Sequence, residues 1–342
     1  MRAIAITNLK GGVGKTTTVV NLGAGLALKG LRVLLVDVDA QGNLATALGV
    51  QPRRTLYEVL VDGKPAEHCL TPARPRLDVL AADSSLMTAQ PLIAQRPDWA
   101  HLLSRSIKPL AARYDVALID CSASLSVMNV GALLAASDVI VPTVVEHLSL
   151  RGIELLEQQL ARVGSARIRC VVPTMFDTRQ RQAHELLAQL QRRYGALVVA
   201  PIRVNVRLSE APSLGRTIYE HDPRSRGALD YARLVEHIAT LLQLQPAVTH
   251  ADPPAPTLTH AAPPDDSPAP MRAGNQAHDG GEAPRRRARL PVPDLPVFQG
   301  VTHEACPSCA HPLKQTIMAG YRVRYCEHCN YQRQELAQGA RR

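Results

Sequence analysis

Apolar residues along the chain fall into two alternating patterns. Ala3–Ile6, Leu31–Val38, Leu77–Ala81, Tyr114–Cys121, Asp138–Thr143 and Ile168–Thr174 are short, nearly unbroken apolar runs, the mark of strands buried on both faces. Between them, Thr17–Leu28, Thr55–Leu60, Trp99–Ala112, Leu148–Val163, Arg179–Tyr194 and Gly227–Leu244 space apolar residues three or four apart and predict helices, the third broken or bent at Pro109. Pro65–Pro75 reads as a surface connection and Ser209–Ser213 as a turn. Strands alternating with helices predict an α/β domain over residues 1–245, a mostly parallel sheet covered by helices on both faces.

Near Gln245 the pattern stops. Residues 246–296 are rich in proline, alanine and polar groups and cannot bury enough apolar surface to offset their ordering entropy, so they predict a disordered linker. Its basic cluster Arg285-Arg286-Arg287-Ala288-Arg289 reads equally as solvated charge or as a non-specific phosphate contact. Residues 297–342 form a third, small module.

Composition narrows this picture. The 342 residues are 46% apolar but only 3% aromatic, so the core is aliphatic. No opening signal peptide is evident, and no window approaches ~18 uninterrupted apolar residues, which predicts a cytoplasmic protein without stable membrane association. The net charge of +9 is concentrated in the first domain, where 28 Lys+Arg against 21 Asp+Glu leave +7. A basic globular domain points to an acidic partner, nucleic acid ahead of a membrane surface.

The chemistry starts at Asn8-Leu9-Lys10-Gly11-Gly12-Val13-Gly14-Lys15-Thr16-Thr17, between the first predicted strand and the first predicted helix. That context is what a phosphate-binding loop requires. Gly11, Gly12 and Gly14 let backbone N–H groups close around phosphate oxygens, and the helix adds its positive end. Lys15 would reach the β and γ phosphates of a nucleotide, and the Thr16 hydroxyl would hold Mg2+. Leu9 stands where the general pattern has glycine, and a second lysine, Lys10, guards the loop entrance. Asp37 and Asp39 end the second run and Asp120 ends the fourth; carboxylates at that sheet edge can hold Mg2+ or orient a water, or cap the next helix.

Of seven cysteines, Cys69, Cys121 and Cys170 are scattered, while Cys306-Pro307-Ser308-Cys309 and Cys326-Glu327-His328-Cys329 form two pairs. Sixteen residues lie between the pairs, the spacing of a four-cysteine zinc ribbon, whose metal would stabilise a module too small for a core of its own. His303, His311 and His328 are then not needed as ligands. Tyr321, Tyr325 and Tyr331 would pack around the metal or stack on bases. Asn330 suits the left-handed turn that follows such a knuckle; Ala310, at the matching place, suits it less.

Six separated blocks resemble the ParA/Soj family of chromosome- and plasmid-partitioning ATPases, with its deviant Walker A motif, over residues 1 to about 244. They are Lys10–Thr17, Val36–Asp39 with Gln41-Gly42-Asn43, Asp120, Pro173–Arg179, Asn205–Pro212 and Tyr219–Gly227. The resemblance implies an ATPase that dimerises with ATP sandwiched between two subunits. Lys10, Gly11, Gly12, Val13, Gly14, Lys15, Thr16, Thr17 and Asn205 would bind ATP, with Lys10 reaching the partner subunit's phosphates and Asn205 touching the base. Lys10, Lys15 and Asp39 would be catalytic, Asp39 positioning the attacking water. Thr16, Asp37 and Asp120 would hold Mg2+ directly or through water. Arg179 and Arg207 would bind non-specific DNA on the nucleoid, and a ParB-type partner would stimulate slow hydrolysis. Ala40, Ser122-Ala123 and Arg203-Val204 depart from the family's prolines and its Pro-Arg pair. Other readings stay open on sequence alone: a MinD-like division-site ATPase, an iron–sulfur carrier on the same fold, or a related ATPase that positions a protein cargo on the nucleoid.

Overall fold

The computed structural model describes residues 1–124, 126–146, 149–164, 166–246, 300–318, 321–326 and 331–336. It divides into two compact units, Met1–Pro256 and Thr257–Arg342. The predicted linker, apart from its first residue, lies outside the described residues, as do Cys329 and Asn330.

In the first unit, β1 (Arg2–Ile6) leads into α1 (Lys15–Leu28), followed by β2 (Val33–Asp37), α2 (Asn43–Leu48) and α3 (Leu56–Leu60). Strands β3 (Thr71–Arg74) and β4 (Leu77–Leu80) precede α4 (Ser85–Ala94), α5 (Trp99–Ile107) and β5 (Val116–Asp120). Then come α6 (Val127–Ala135), β6 (Asp138–Val144), α7 (Ser149–Val163), β7 (Arg167–Thr174) and α8 (Arg181–Tyr194). Helices α9 (Val206–Glu210), α10 (Ile218–His221) and α11 (Arg226–Leu241) close the unit. The sheet order is β3-β4-β2-β5-β1-β6-β7, parallel throughout except for edge strand β3, which runs antiparallel to β4.

The unbroken apolar runs are strands because both sheet faces are covered. Leu34, Val36, Ile119 and Val141 pack toward the layer holding α3 to α8. Val33, Leu35, Leu118 and Ile140 pack toward α1, α2, α10 and α11. Helix α1 is pressed into the second layer so closely that a Cβ on Gly25 would sit 2.4 Å from Val235 Cγ2, and one on Gly23 would sit 2.7 Å from Leu35 Cδ2. Pro109 ends α5 as read from sequence, and a 3-10 turn, Lys108–Ala112, continues from it.

Two segments differ from the sequence expectation. The connection 65–75 contains a 3-10 turn, Ala66–His68, and strand β3; Pro72 is accommodated because β3 is an edge. Ser209–Ser213 is helical, split between the end of α9 and a 3-10 turn, Ala211–Leu214, with Pro212 in that turn's first residues.

The second unit is an antiparallel sheet of β8 (Gly300–Ala305), β9 (Pro312–Met318), β10 (Tyr321–Tyr325) and β11 (Gln332–Leu336), in the order β11-β10-β9-β8. No helix among the described residues is long and apolar enough to cross a membrane. Helix α11 buries Tyr231, Leu234, Val235 and Ile238 in the domain and is thereby an integral helix.

Candidate functional site

The glycine loop leaves β1 at the sheet's C-terminal edge and enters α1 through Gly14, which sits at φ 81° with Gly12 at φ 70°. Both angles are left-handed, where a Cβ would be strained. Asn8, buried, fixes the loop entrance: its side-chain NH2 donates to the Pro142 carbonyl (2.8 Å) and its oxygen accepts from the Lys10 N–H (3.0 Å). The Thr174 hydroxyl at the end of β7 donates to the Val13 carbonyl (2.9 Å), and the Thr18 hydroxyl donates to that of Gly14 (2.8 Å). Asn8 and Thr174 are supports that the sequence reading passed over. Asn8 stood inside the motif, but nothing local signals that its partner is Pro142.

The two lysines take opposite directions. The Lys15 ammonium turns back onto the loop, donating to the Lys10 carbonyl at 3.2 Å. Burial lowers its pKa, against the attraction of Asp120 and Asp39. The Lys10 ammonium leaves the loop and pairs with Glu146, beyond the end of β6.

Three carboxylates stand beside the loop in different environments. Asp37 is fully buried and accepts the Asp39 N–H (2.9 Å) and the Leu44 N–H (3.2 Å), one on each oxygen. Its pKa lies well above the usual carboxylate range, first because of burial and then because of Asp120. Asp120 is buried, and among the described residues neither oxygen has a hydrogen-bond partner of good geometry, the Thr16 hydroxyl being its nearest donor. Burial pushes it up to about 7, with the nearby Thr16 hydroxyl and Lys15 ammonium pulling the other way. Asp39 is only half-buried and accepts the Gln41 N–H at 3.1 Å. An orphaned, desolvated carboxylate next to a threonine hydroxyl fits a hard divalent cation, so Asp120 and Thr16 are the residues present that suit Mg2+. Asp37 organises the turn that carries Asp39.

The remaining candidates lie on two turns joined by backbone. Phe176 and Arg203 form a parallel bridge, and the Val204 N–H donates to the Phe176 carbonyl (3.1 Å). Since Thr174 is bonded to Val13, this bridge links the phosphate loop to both turns. Arg179 is exposed and held by a two-pronged pair with Asp177 (2.9 and 2.8 Å). Arg207 pairs with Glu210 at 2.8 Å and approaches Asp222 at 3.5 Å. The Asn205 side-chain oxygen caps α9 by accepting the Arg207 N–H (2.8 Å). In the second unit Cys306, Cys309 and Cys326 converge.

A family model described as an AAA domain matches residues 1–169. The chain is 38% identical over 250 residues to the chromosome partitioning protein ParA of Caulobacter vibrioides, across 70% of this chain and 94% of that protein. It is 40% identical over 249 residues to the chromosome-partitioning ATPase Soj of Thermus thermophilus, across 71% and 97%. Cobyrinic acid a,c-diamide synthase from Mycobacterium smegmatis, solved with bound ADP and magnesium, shares the fold with a TM-score of 0.62 at 30% identity, covering 73% of this chain and 100% of that one. Fold, loop and carboxylates define a phosphate-loop ATPase. Within that class, the chain belongs to the ParA/Soj family of partitioning ATPases.

Proposed function

We propose that the chain is a nucleotide-switched dimer that binds DNA without sequence preference and moves chromosome or plasmid DNA with a ParB-type partner. The observation that carries this reading is the divergence of the two lysines: Lys15 serves its own loop, while Lys10 leaves it for an exposed partner, Glu146. A lysine paired with a surface carboxylate can exchange it for a phosphate of a second subunit.

In this reading the loop Lys10–Thr17 surrounds the ATP phosphates and Lys15 neutralises them. Thr16 and Asp120, with Asp37 behind, hold Mg2+, which when bound offsets phosphate charge. Asp39, with its carboxylate at the partly open edge, orients the attacking water. Hydrolysis stays slow until the partner's Lys10 and the posed water are present together. Asn205 contacts the base with the part of its amide not used in capping α9. Arg179 and Arg207 exchange Asp177 and Glu210 for DNA phosphates, which makes binding salt-sensitive. The bridge Phe176–Arg203 supports a shared response, because both turns attach to the strand that fixes Val13.

The test is light scattering of the purified chain with Mg2+ and ADP or a slowly hydrolysed ATP analogue, followed by DNA binding in each state. Dimers and DNA binding with the ATP analogue alone are expected. A monomer in both states would overturn the reading.

A further inference from the structure

We propose that Cys306, Cys309, Cys326 and Cys329 hold one Zn2+ ion that takes the place of a hydrophobic core in the second unit. The Sγ atoms of Cys306, Cys309 and Cys326 all lie within 4.8 Å of one another. Cys309 Sγ and Cys326 Sγ stand 3.4 Å apart. A disulfide requires about 2.05 Å, whereas thiolates about 2.3 Å from one tetrahedral zinc ion stand roughly 3.8 Å from each other. The spacing is that of ligands around a common point. An iron–sulfur cluster seats at most two of its cysteines on one iron, whereas all three Sγ atoms converge here.

The two half-sites are built alike. The Cys306 N–H donates to the His311 carbonyl (2.7 Å), and the Cys326 N–H donates to the Tyr331 carbonyl (3.0 Å). In each, the N–H of the first cysteine bonds to the carbonyl of the residue five positions on. By sequence spacing alone Cys329, which lies outside the described residues, is the counterpart of Cys309 and the fourth thiolate of the proposal. The His311 Nδ1 bonds to the Cys309 carbonyl at 3.0 Å, and a tetrahedral ion closed by four thiolates needs no histidine.

The hydrophobic cluster of this unit, among the described residues, consists of the cysteines themselves with Leu313 and Tyr331. Cys306 is 2% and Cys326 7% exposed. Burying polarisable thiols around two other side chains leaves a four-stranded sheet with little else to order it. A closed tetrahedral metal supplies that cross-link and leaves no open coordination position, so the centre is structural.

The test uses the full chain purified under reducing conditions. About one zinc per chain by elemental analysis is expected, released as about four thiols are titrated with a mercurial. Chelation should expose residues 300–336 to protease while residues 1–246 stay resistant. Cys309→Ser should lose most of the zinc and keep ATP binding, so the outcome is read independently of the partitioning assignment. Overturning results are a zinc-free chain with all thiols reactive, a visible-absorbing iron centre, a disulfide between the pairs, or unchanged protease resistance after zinc removal.

Discussion

Asp37 and Asp120 are register partners on adjacent strands β2 and β5, so two buried carboxylates end side by side at the C-terminal edge of the sheet. Ile6, the last residue of β1 before the loop, occupies the same row on the other side of Asp120. The two acids differ in satisfaction. Asp37 is tied to two backbone N–H groups, and Asp120 has none. In the proposed reading this desolvation is the cost of a site built to take a cation.

Replacing the orphaned acid should therefore stabilise the nucleotide-free chain. Asp120→Asn is expected to gain about 1–3 kcal/mol near pH 8, and to lose Mg2+-dependent ATP binding. The sign follows from a folded-state pKa raised to about 7. The penalty is absent while both states are protonated, grows as pH rises past the unfolded value of about 3.9, and is complete above about 7. Thermal melts of both proteins near pH 4.5 and pH 8 decide it; equal gains at both, or none at pH 8, would refute the argument.

The two lysines should separate binding from assembly. Lys15→Ala is expected to abolish ATP binding, since the ammonium is turned inward on the loop. Lys10→Ala should keep monomer affinity within about threefold, because its contact lies outside the loop, yet fail to dimerise. Asp39→Ala should assemble with ATP and hydrolyse it about a hundredfold more slowly. Equilibrium binding of a fluorescent nucleotide, light scattering and phosphate release read these separately. Normal turnover by the Asp39 variant would remove the role assigned to it.

Arg179 and Arg207 already hold carboxylates, Asp177 and Glu210, with which DNA would have to compete in the proposed reading. Arg207→Ala should reduce the slope of log affinity against log salt by about one and weaken all DNA sequences alike. Dimerisation with ATP should persist. A DNA titration at several salt concentrations checks this, and an unchanged slope would exclude Arg207 from the interface.

Much of this was legible because parallel strands buried on both faces, such as Val33–Asp37 and Val116–Asp120, write themselves as unbroken apolar runs. The loop and the acids at strand ends followed from local spacing. What local spacing cannot convey is partnership across the fold. Nothing near Asn8 announces Pro142, nothing near Thr174 announces Val13, and Glu146 became Lys10's partner only through packing. Edge strand β3 was hidden by Pro72, which argues against a strand unless its position at the edge is known.

Ala310 follows the first cysteine pair and sits at φ 59°, in the left-handed turn that the sequence made glycine or asparagine the natural choice for. Its N–H nevertheless donates to the Cys306 carbonyl at 2.8 Å, so the knuckle imposes the conformation despite the Cβ. Ala310→Gly should relieve roughly 0.5–1 kcal/mol of strain. Slower zinc release to a competing chelator would show it; faster release would mean that the methyl group packs favourably.

Arg203 has a mechanical role. Its Nε and Nη2 donate to the two oxygens of Asp230 on α11 at 2.9 and 2.7 Å, and its backbone N–H adds a third bond at 3.0 Å. Asp230 is 3% exposed, and Arg233 also reaches it at 3.2 Å. The clamp fixes the backbone just before Asn205 and Arg207 through charge-assisted side-chain bonds. Asp230→Ala leaves Arg203 half-buried without its anchor and should cost about 2–4 kcal/mol in a urea melt, together with weaker ATP binding through Asn205. Arg203→Lys keeps the charge but not the two-pronged geometry, so it should lose part of the stability and a similar part of the nucleotide affinity. If Asp230→Ala lowers stability while ATP and DNA affinities stay at their original values, the clamp supports the fold alone and the positioning role falls.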